Sequence, residues 1–210
     1  MLTKESLIKD LIKGGYLKSR PLIDAFEKID RIDFVPENLK NEAYLNQPLP
    51  IGFGQTISQP LTVAFMLELL EPKPDEKILE VGAGSGWASA LLAQIVGENG
   101  NICAIERIPE LCEFGKQNIA KYRFIEKGIV DFVCGDASRG YSKKAPFDKI
   151  IAAAAGKDIP LAWKEELKIG GRLIMPVGGN IVVLDKINQN EFEKKEFFGF
   201  SFVPLIIKTD

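Results

Sequence analysis

The sequence predicts an α/β fold: a mostly parallel sheet with helices on both faces, antiparallel strands at its C-terminal edge and a helical cap at the N-terminus. Three observations predict it. From residue 77 onward, short apolar runs alternate with helical periods, which is the rhythm of βαβ units. Those runs are nearly continuous in apolar residues, as strands covered on both faces are. The third is Ile78-Leu79-Glu80-Val81-Gly82-Ala83-Gly84-Ser85-Gly86, which reads as a strand passing through a glycine turn into a helix.

The elements follow in order. Residues 3–13 place Leu7, Ile8, Leu11 and Ile12 on one helical face, and Gly14-Gly15 is the stop. Pro21 suits the first turn of a second short helix that buries Leu22, Ala25, Phe26 and Ile29. Residues 33–58 show no strong period and hold Pro36, Pro48, Pro50, Gly52 and Gly54, so they read as a long shaped loop. Loops of that length are usually functional or disordered. Helical spacing returns at Val63, Met66, Leu67 and Leu70 and ends at Pro72 and Pro74. Strands are expected at 77–81, 101–105, 129–134, 148–154 and 172–177. Helices are expected at 87–96, from Pro109 to Tyr122, and in part over 159–167. The segments 180–187 and 197–206 are β-rich and flank a turn at Asn188-Gln189-Asn190. Two strands without a helix between them suggest an antiparallel edge pair. No repeat or linker interrupts the chain. It reads as one domain over 1–210, with a helical and loop cap over 1–70 and the sheet unit over 75–210.

Composition narrows the function. With 46% hydrophobic and 27% charged residues, the chain can bury a sizeable core. A formal net charge of −2 supplies no basic surface for nucleic acid. Lys4, Glu5, Lys9 and Asp10 break up the apolar residues that a signal peptide would need. No stretch approaches the roughly 18 apolar residues of a membrane span. The expectation is a soluble, cytoplasmic monomer with neither nucleic acid nor membrane as a partner. Cys103, Cys112 and Cys134 are odd in number, lack metal or redox spacing and sit in apolar stretches, so they are expected to be buried free thiols. The chain has no histidine, which removes the usual general base, the commonest zinc ligand and the Ser-His-Asp triad. No metal site is expected.

The glycine turn lies at the carboxyl end of the first parallel strand, where open α/β sheets bind ligands. Glycines there permit positive φ and close approach of backbone to a ligand. The dinucleotide fingerprint G-x-G-x-x-G needs its third glycine at position 87. That position is Trp87, and the third glycine is Gly86. The spacing G-x-G-x-G after Glu80 resembles motif I of Rossmann-like methyltransferases, whose site holds a nucleoside and an amino-acid zwitterion beside a sulfonium. Glu106 ends the next strand, roughly 20 residues beyond the glycines, where a carboxylate reaches ribose hydroxyls. Gly135-Asp136 follows the third strand. Asp136 there can accept from an adenine amino group, or it can close an Asx turn or cap a helix before Ala137-Ser138. A ligand-free tight turn and a nicotinamide site remain alternatives for the glycine loop.

The most distinctive stretch is Pro48-Leu49-Pro50-Ile51-Gly52-Phe53-Gly54-Gln55-Thr56-Ile57-Ser58-Gln59-Pro60. It resembles, throughout, the signature PLPIGxGQTISxP of the protein-L-isoaspartate O-methyltransferase family. Asp30-Arg31-Ile32-Asp33-Phe34-Val35-Pro36 looks like the family's DRxxFVP element. Pro146-Phe147-Asp148-Lys149-Ile150-Ile151 resembles its entry into strand four, and Lys168-Ile169-Gly170-Gly171-Arg172-Leu173-Ile174-Met175-Pro176-Val177-Gly178 resembles a later motif. Phe202-Val203-Pro204-Leu205 is similar to its C-terminal FVPL. The matches run in the family's order between residues 20 and 206.

The resemblance implies a Rossmann-like class I fold and a carboxyl O-methyltransferase that uses S-adenosyl-L-methionine and releases S-adenosyl-L-homocysteine. The substrates it implies are proteins and peptides carrying L-isoaspartate, methylated on the free α-carboxylate. The ester then cyclises to a succinimide away from the enzyme. Carried over residue by residue, Ser58 is the active-site residue. Thr56, Ile57, Ser58 and Val203 meet the substrate, and Gly82, Gly84, Gly86, Glu106, Asp136 and Ala137 hold the cofactor. Such chemistry suits a chain without histidine, because a carboxylate is already an anion above about pH 4–5 and needs no base. The protein has to align the reactants and exclude water.

Ser58 also has a physical case. It lies just before a helix, whose free N–H groups attract a carboxylate. The other reading is that Ser58 or Thr56 caps that helix. Thr56-x-x-Gln59 fits a capping box, but it would place Pro60 where a missing N–H costs a hydrogen bond. Two departures from the family stand out. Ala43-Tyr44-Leu45-Asn46-Gln47-Pro48 carries Asn46 where the family often has an acid, and Ala152-Ala153-Ala154-Ala155-Gly156-Lys157 allows no contacts to be carried over. A methyltransferase of a small-molecule acid, a non-catalytic S-adenosylmethionine-binding module and a nicotinamide oxidoreductase stay open at this point, the last disfavoured by Trp87.

Overall fold

The computed structural model describes residues 2–206. Thr3 caps α1 (Lys4–Lys13): its hydroxyl accepts from the Ser6 N–H at 3.2 Å, and the Ser6 hydroxyl accepts from the Thr3 N–H at 2.9 Å. Leu7, Ile8 and Leu11 enter the core, whereas Ile12 is exposed and lies off the buried stripe. Pro21 stands in the first turn of α2 (Arg20–Lys28), which buries Leu22, Ala25 and Phe26. The stretch read as a loop is ordered. It forms two 3-10 turns, Arg31–Phe34 and Glu37–Glu42, and a hairpin of β1 (Leu49–Gly52) and β2 (Gln55–Ile57). Pieces this short leave no hydrophobic period to detect. Helix α3 (Pro60–Leu70) follows and ends at Glu71, whose φ of 52° is left-handed.

The sheet is built from β3 (Lys77–Val81), β4 (Asn101–Glu106), β5 (Val130–Cys134), β6 (Phe147–Ala152), β7 (Leu167–Val177), β8 (Asn180–Lys186) and β9 (Phe192–Phe198). Between them lie α4 (Trp87–Val96), α5 (Pro109–Ala120) and α6 (Leu161–Glu166). The strand order is β5-β4-β3-β6-β7-β8-β9. Pairs from β5 to β7 are parallel, and β8 and β9 add antiparallel pairs at the edge. From β3 the chain moves outward through β4 and β5, then returns to the other side of β3 at β6. The crevice for a ligand opens at that reversal, beyond the carboxyl ends of the strands.

Alternate residues of each strand feed opposite faces. Ile78, Ile102 and Val130 join the apolar cluster that also holds Leu7, Leu11, Phe34, Leu49 and Leu67. Leu79, Cys103 and Ile150 join a smaller cluster around Trp163 of α6. The first seventy residues therefore share the core of one sheet face and have no separate cluster among the described residues.

Two expectations need correction. The last strand lies at 192–198 and not at 197–206. Its residues Glu193, Lys194, Lys195 and Glu196 are exposed on both faces, as suits an edge strand, and this hid it from an apolar pattern. Gly199 turns at φ 93°, and 199–206 leaves the sheet as an extended strap. The second concerns the thiols. Cys112 on α5 and Cys134 at the end of β5 form a disulfide, with a Cα–Cα distance of 5.5 Å. Packing of α5 against β5 brings them together across 22 residues, a separation that carries no local spacing signal. Cys103 alone is free and buried, and burial pushes its thiol up to about 12. Among the described residues, no helix is long and apolar enough to cross a membrane.

Candidate active site

A cavity of about 630 Å³ opens where the carboxyl ends of β3, β4, β5 and β6 meet the β2–α3 junction and the strap. That size and position suit a small-molecule site. Gly82, Gly84 and Gly86 all have positive φ, at 81°, 53° and 85°, but for different reasons. A Cβ on Gly82 would meet nothing within 4 Å, so its face is open. A Cβ on Gly86 would strike the Ile119 side chain at 2.9 Å and the Gly115 carbonyl at 3.2 Å, so Gly86 is pressed against α5. Gly82 and Gly84 line the cavity; Gly86, the N-cap of α4, does not.

Backbone bonds hold this turn. The N–H groups of Gly82 and Ala83 donate to the Ile105 carbonyl at 2.9 and 3.1 Å. Glu106 is buried yet reaches the cavity. Its Oε2 accepts from the Gly84 N–H and its Oε1 from the Ile108 N–H, both at 2.9 Å. A carboxylate oxygen has a second lone pair, so each keeps capacity for a ligand hydroxyl. Behind the turn, Glu80 accepts from the Ser89 hydroxyl in full burial. Burial pushes its carboxyl up to about 7; the Ser89 bond opposes that and the Glu106 charge adds to it.

Asp136 and Ala137 line the same cavity. Asp136 Oδ1 accepts from the Ser138 N–H at 2.9 Å, so the Asx turn weighed against a ligand role is present, and the residue faces the cavity as well. The Ala137 carbonyl accepts from Trp163 Nε1 at 2.8 Å, which anchors the loop to α6.

Thr56 and Ser58 line the opposite wall. Ile57 between them points the other way and is buried in the core, as strand alternation requires. The N-cap of α3 is Gln59, with Pro60 in the first turn. Thr56 belongs to β2, so the Thr56–Gln59 capping box does not form, and neither Thr56 nor Ser58 caps the helix. Val203 is in the strap and lines the cavity too.

A family model described as protein-L-isoaspartate(D-aspartate) O-methyltransferase matches residues 2–210. The chain belongs to this family. A protein-L-isoaspartate O-methyltransferase from Methanopyrus kandleri is 41% identical over 207 residues, covering 97% of this chain and 91% of the relative. Protein-L-isoaspartate O-methyltransferase 2 from Archaeoglobus fulgidus is 44% identical over 190 residues, 89% of this chain and 85% of its own length. A solved protein-L-isoaspartate O-methyltransferase from Plasmodium falciparum, in complex with S-adenosyl-L-homocysteine, has the same fold. It aligns with a TM-score of 0.87 at 23% identity over 97% of this chain and 98% of that one.

In this isoaspartyl methyltransferase family member, sequence reasoning missed three supports of the site. Asn46, noted for its lost charge, supplies the helix cap: its Oδ1 accepts from the Leu61 N–H at 3.0 Å, and its carbonyl accepts from Gln59 Nε2 at 2.9 Å. The alanine-rich stretch after β6 ties the walls together. Ala153 N–H donates to the Val81 carbonyl at 3.0 Å, Ala155 N–H to the Val203 carbonyl at 2.8 Å, and Leu205 N–H to the Ala155 carbonyl at 2.8 Å. These are backbone bonds, so no side-chain motif announces them. The third is Arg31, inside the DRxxFVP element, whose guanidinium donates to the Ser58 carbonyl at 3.1 Å.

Proposed function

We propose that the chain is a protein-L-isoaspartate O-methyltransferase, which moves the methyl group of S-adenosyl-L-methionine to the free α-carboxylate of L-isoaspartyl residues in proteins and peptides. The observation that carries this reading is one cavity with two kinds of wall. On one side lie Gly82, Gly84, Glu106, Asp136 and Ala137 at the strand ends; on the other lie Thr56, Ser58 and Val203.

The first wall fits the cofactor. Glu106 offers acceptor capacity for a pair of ribose hydroxyls, Asp136 offers an acceptor for an adenine amino group, and the bare face of Gly82 lets a ligand approach the backbone. S-adenosylmethionine supplies an electrophilic methyl group at that position and is released as S-adenosyl-L-homocysteine. Ser58 donates its hydroxyl to the isoaspartyl carboxylate and orients one oxygen. Its position at the start of α3 adds the favourable field of a helix N-terminus. Val203 and the strap close the cavity and keep water from the carboxylate, which strengthens its alignment. No residue has to remove a proton, consistent with a chain that lacks histidine. Gly86 and Ile57 serve in this reading as packing residues behind the two walls, and residues 1–70 act as a cap that presents the substrate loop.

The test is methyl transfer from labelled S-adenosylmethionine to an isoaspartyl peptide beside its aspartyl twin. Label should enter the isoaspartyl peptide only and leave in mild base, as a methyl ester does. Equal labelling of both peptides would defeat the isoaspartate assignment.

A further inference from the structure

Arg31 is a buried cation with no carboxylate partner among the described residues. It is 2% exposed, and its Nη1 donates to the carbonyls of Ala43 at 2.6 Å and Leu45 at 3.4 Å. Its Nη2 donates to the carbonyls of Gln47 and Ser58, each at 3.1 Å. Its Cζ lies 5.3 Å from the centre of the Trp87 ring. Burial alone lowers its pKa, to about 10, and no charged neighbour among the described residues offsets that. Buried charges are usually paired, because desolvation is costly. Here carbonyl dipoles and one aromatic face stand in for the anion.

The bonded groups explain where such a cost is useful. The carbonyls belong to the segment that leads into and out of the hairpin, and the last of them is that of Ser58. Trp87 is the first residue of α4, directly after the glycine turn. One planar guanidinium therefore spans from the substrate loop to the cofactor turn. On the other side of Ser58, Asn46 binds both Gln59 and Leu61. Asn46 thus fixes the start of the helix, and the bond to the Ser58 carbonyl itself comes from Arg31, which restricts where the Ser58 hydroxyl can point.

We propose that Arg31 is a positioning residue for methyl transfer, which sets the Ser58 hydroxyl relative to the glycine turn by gripping the Ser58 carbonyl while resting on Trp87. The proposal depends on the reading of Ser58 as the substrate-orienting group. Lysine cannot replace arginine in this role. It keeps the charge but has no planar fork to reach carbonyls on two sides and no flat face for the indole.

The experiment is a double-mutant cycle of Arg31→Lys and Ser58→Ala, with kcat on an isoaspartyl peptide, calorimetric binding of S-adenosylhomocysteine and thermal unfolding measured for each variant. Arg31→Lys should lower kcat about tenfold or more per folded molecule, while binding of S-adenosylhomocysteine changes less than about threefold. In the Ser58→Ala background the same substitution should cost less than about threefold further, because the group it positions is gone. A merely structural arginine would give additive losses in kcat, or none, and either result overturns the proposal while leaving Ser58 in place. Full activity of Ser58→Ala alone overturns the Ser58 reading and this proposal with it. If Arg31→Lys does not fold, Trp87→Leu removes the aromatic face and leaves the carbonyl bonds. The same cycle run with it must show the same loss of additivity, and additive losses there overturn the proposal.

Discussion

The helix cap that the sequence offered to Ser58 or Thr56 falls to Asn46. Ser58 faces the cavity, and Asn46 caps α3 by accepting from Leu61. Ser58→Ala should therefore reduce kcat/KM by about 10–1,000-fold while the melting temperature stays near that of the parent chain. Asn46→Ala should do the reverse and cost about 0.5–2 kcal/mol of stability with much smaller kinetic effect, the range for a lost helix cap. Thermal unfolding and kinetics on the same preparations check both; exchanged phenotypes would reverse the assignment. Glu106 carries a double role as well. Its carboxylate reaches the cavity and also holds the Gly84 and Ile108 N–H groups. Glu106→Ala should weaken S-adenosylhomocysteine binding by about 1–3 kcal/mol and lower stability too, since two backbone donors lose their acceptor. Unchanged binding in calorimetry would remove Glu106 from the cofactor wall.

At the scale of elements, legibility followed the length and polarity of each segment. Strands β3 to β7 and helices α3 to α5 were readable because both faces of the sheet are covered, and each strand is then an apolar run. The hairpin of β1 and β2 was not. Its shape comes from carbonyls gathered by Arg31 and from a tip where Gly52, Phe53 and Gly54 all take positive φ, at 96°, 54° and 69°. A long-range hydrogen bond leaves no period in the sequence. The Cys112–Cys134 disulfide was missed on the same ground. It fastens α5 to the end of β5, next to Leu111 and Gly135, which line the cavity. Closing a loop between residues 22 apart should contribute about 3 kcal/mol by limiting the unfolded chain. Cys134→Ser, or the parent chain kept in excess dithiol, should unfold at correspondingly lower denaturant. Coincident unfolding curves in oxidant and reductant would show that the bond contributes nothing.

At the scale of the whole molecule, the order reversal at β3 and β6 places Gly82, Gly84, Glu106, Asp136 and Ala137, the residues proposed to hold the cofactor, around one cavity, and the sequence carried that through the glycine turn and its spacing to Glu106 and Asp136. It could not show that Glu80 would be sealed beneath the turn. Glu80 titrates near 7 in the fold and near 4.5 when free, so its carboxyl binds a proton in the folded chain that the unfolded chain has already released over that interval. Unfolding then liberates a proton, and stability falls as pH rises from about 4.5 toward 7, with the full penalty present above it. Glu80→Gln keeps an acceptor for Ser89 and removes the charge. Its melting temperature should exceed that of the parent chain at pH 8, with the gap closing toward pH 5. A gap that is constant with pH would mean that Glu80 is not the group responsible.

The strap has a consequence in time. It belongs to no strand and is held by the two backbone bonds at Ala155, which make an isolated bridge to Pro204, and by the stack of Phe200 on Phe65 at 5.2 Å. A ribosome delivers residues 199–206 only after the last strand of the sheet. Until then one side of the cleft is missing, because residues 199–206 line it. Enclosure of the cleft, and with it competence for repair, therefore waits on residues 199–206.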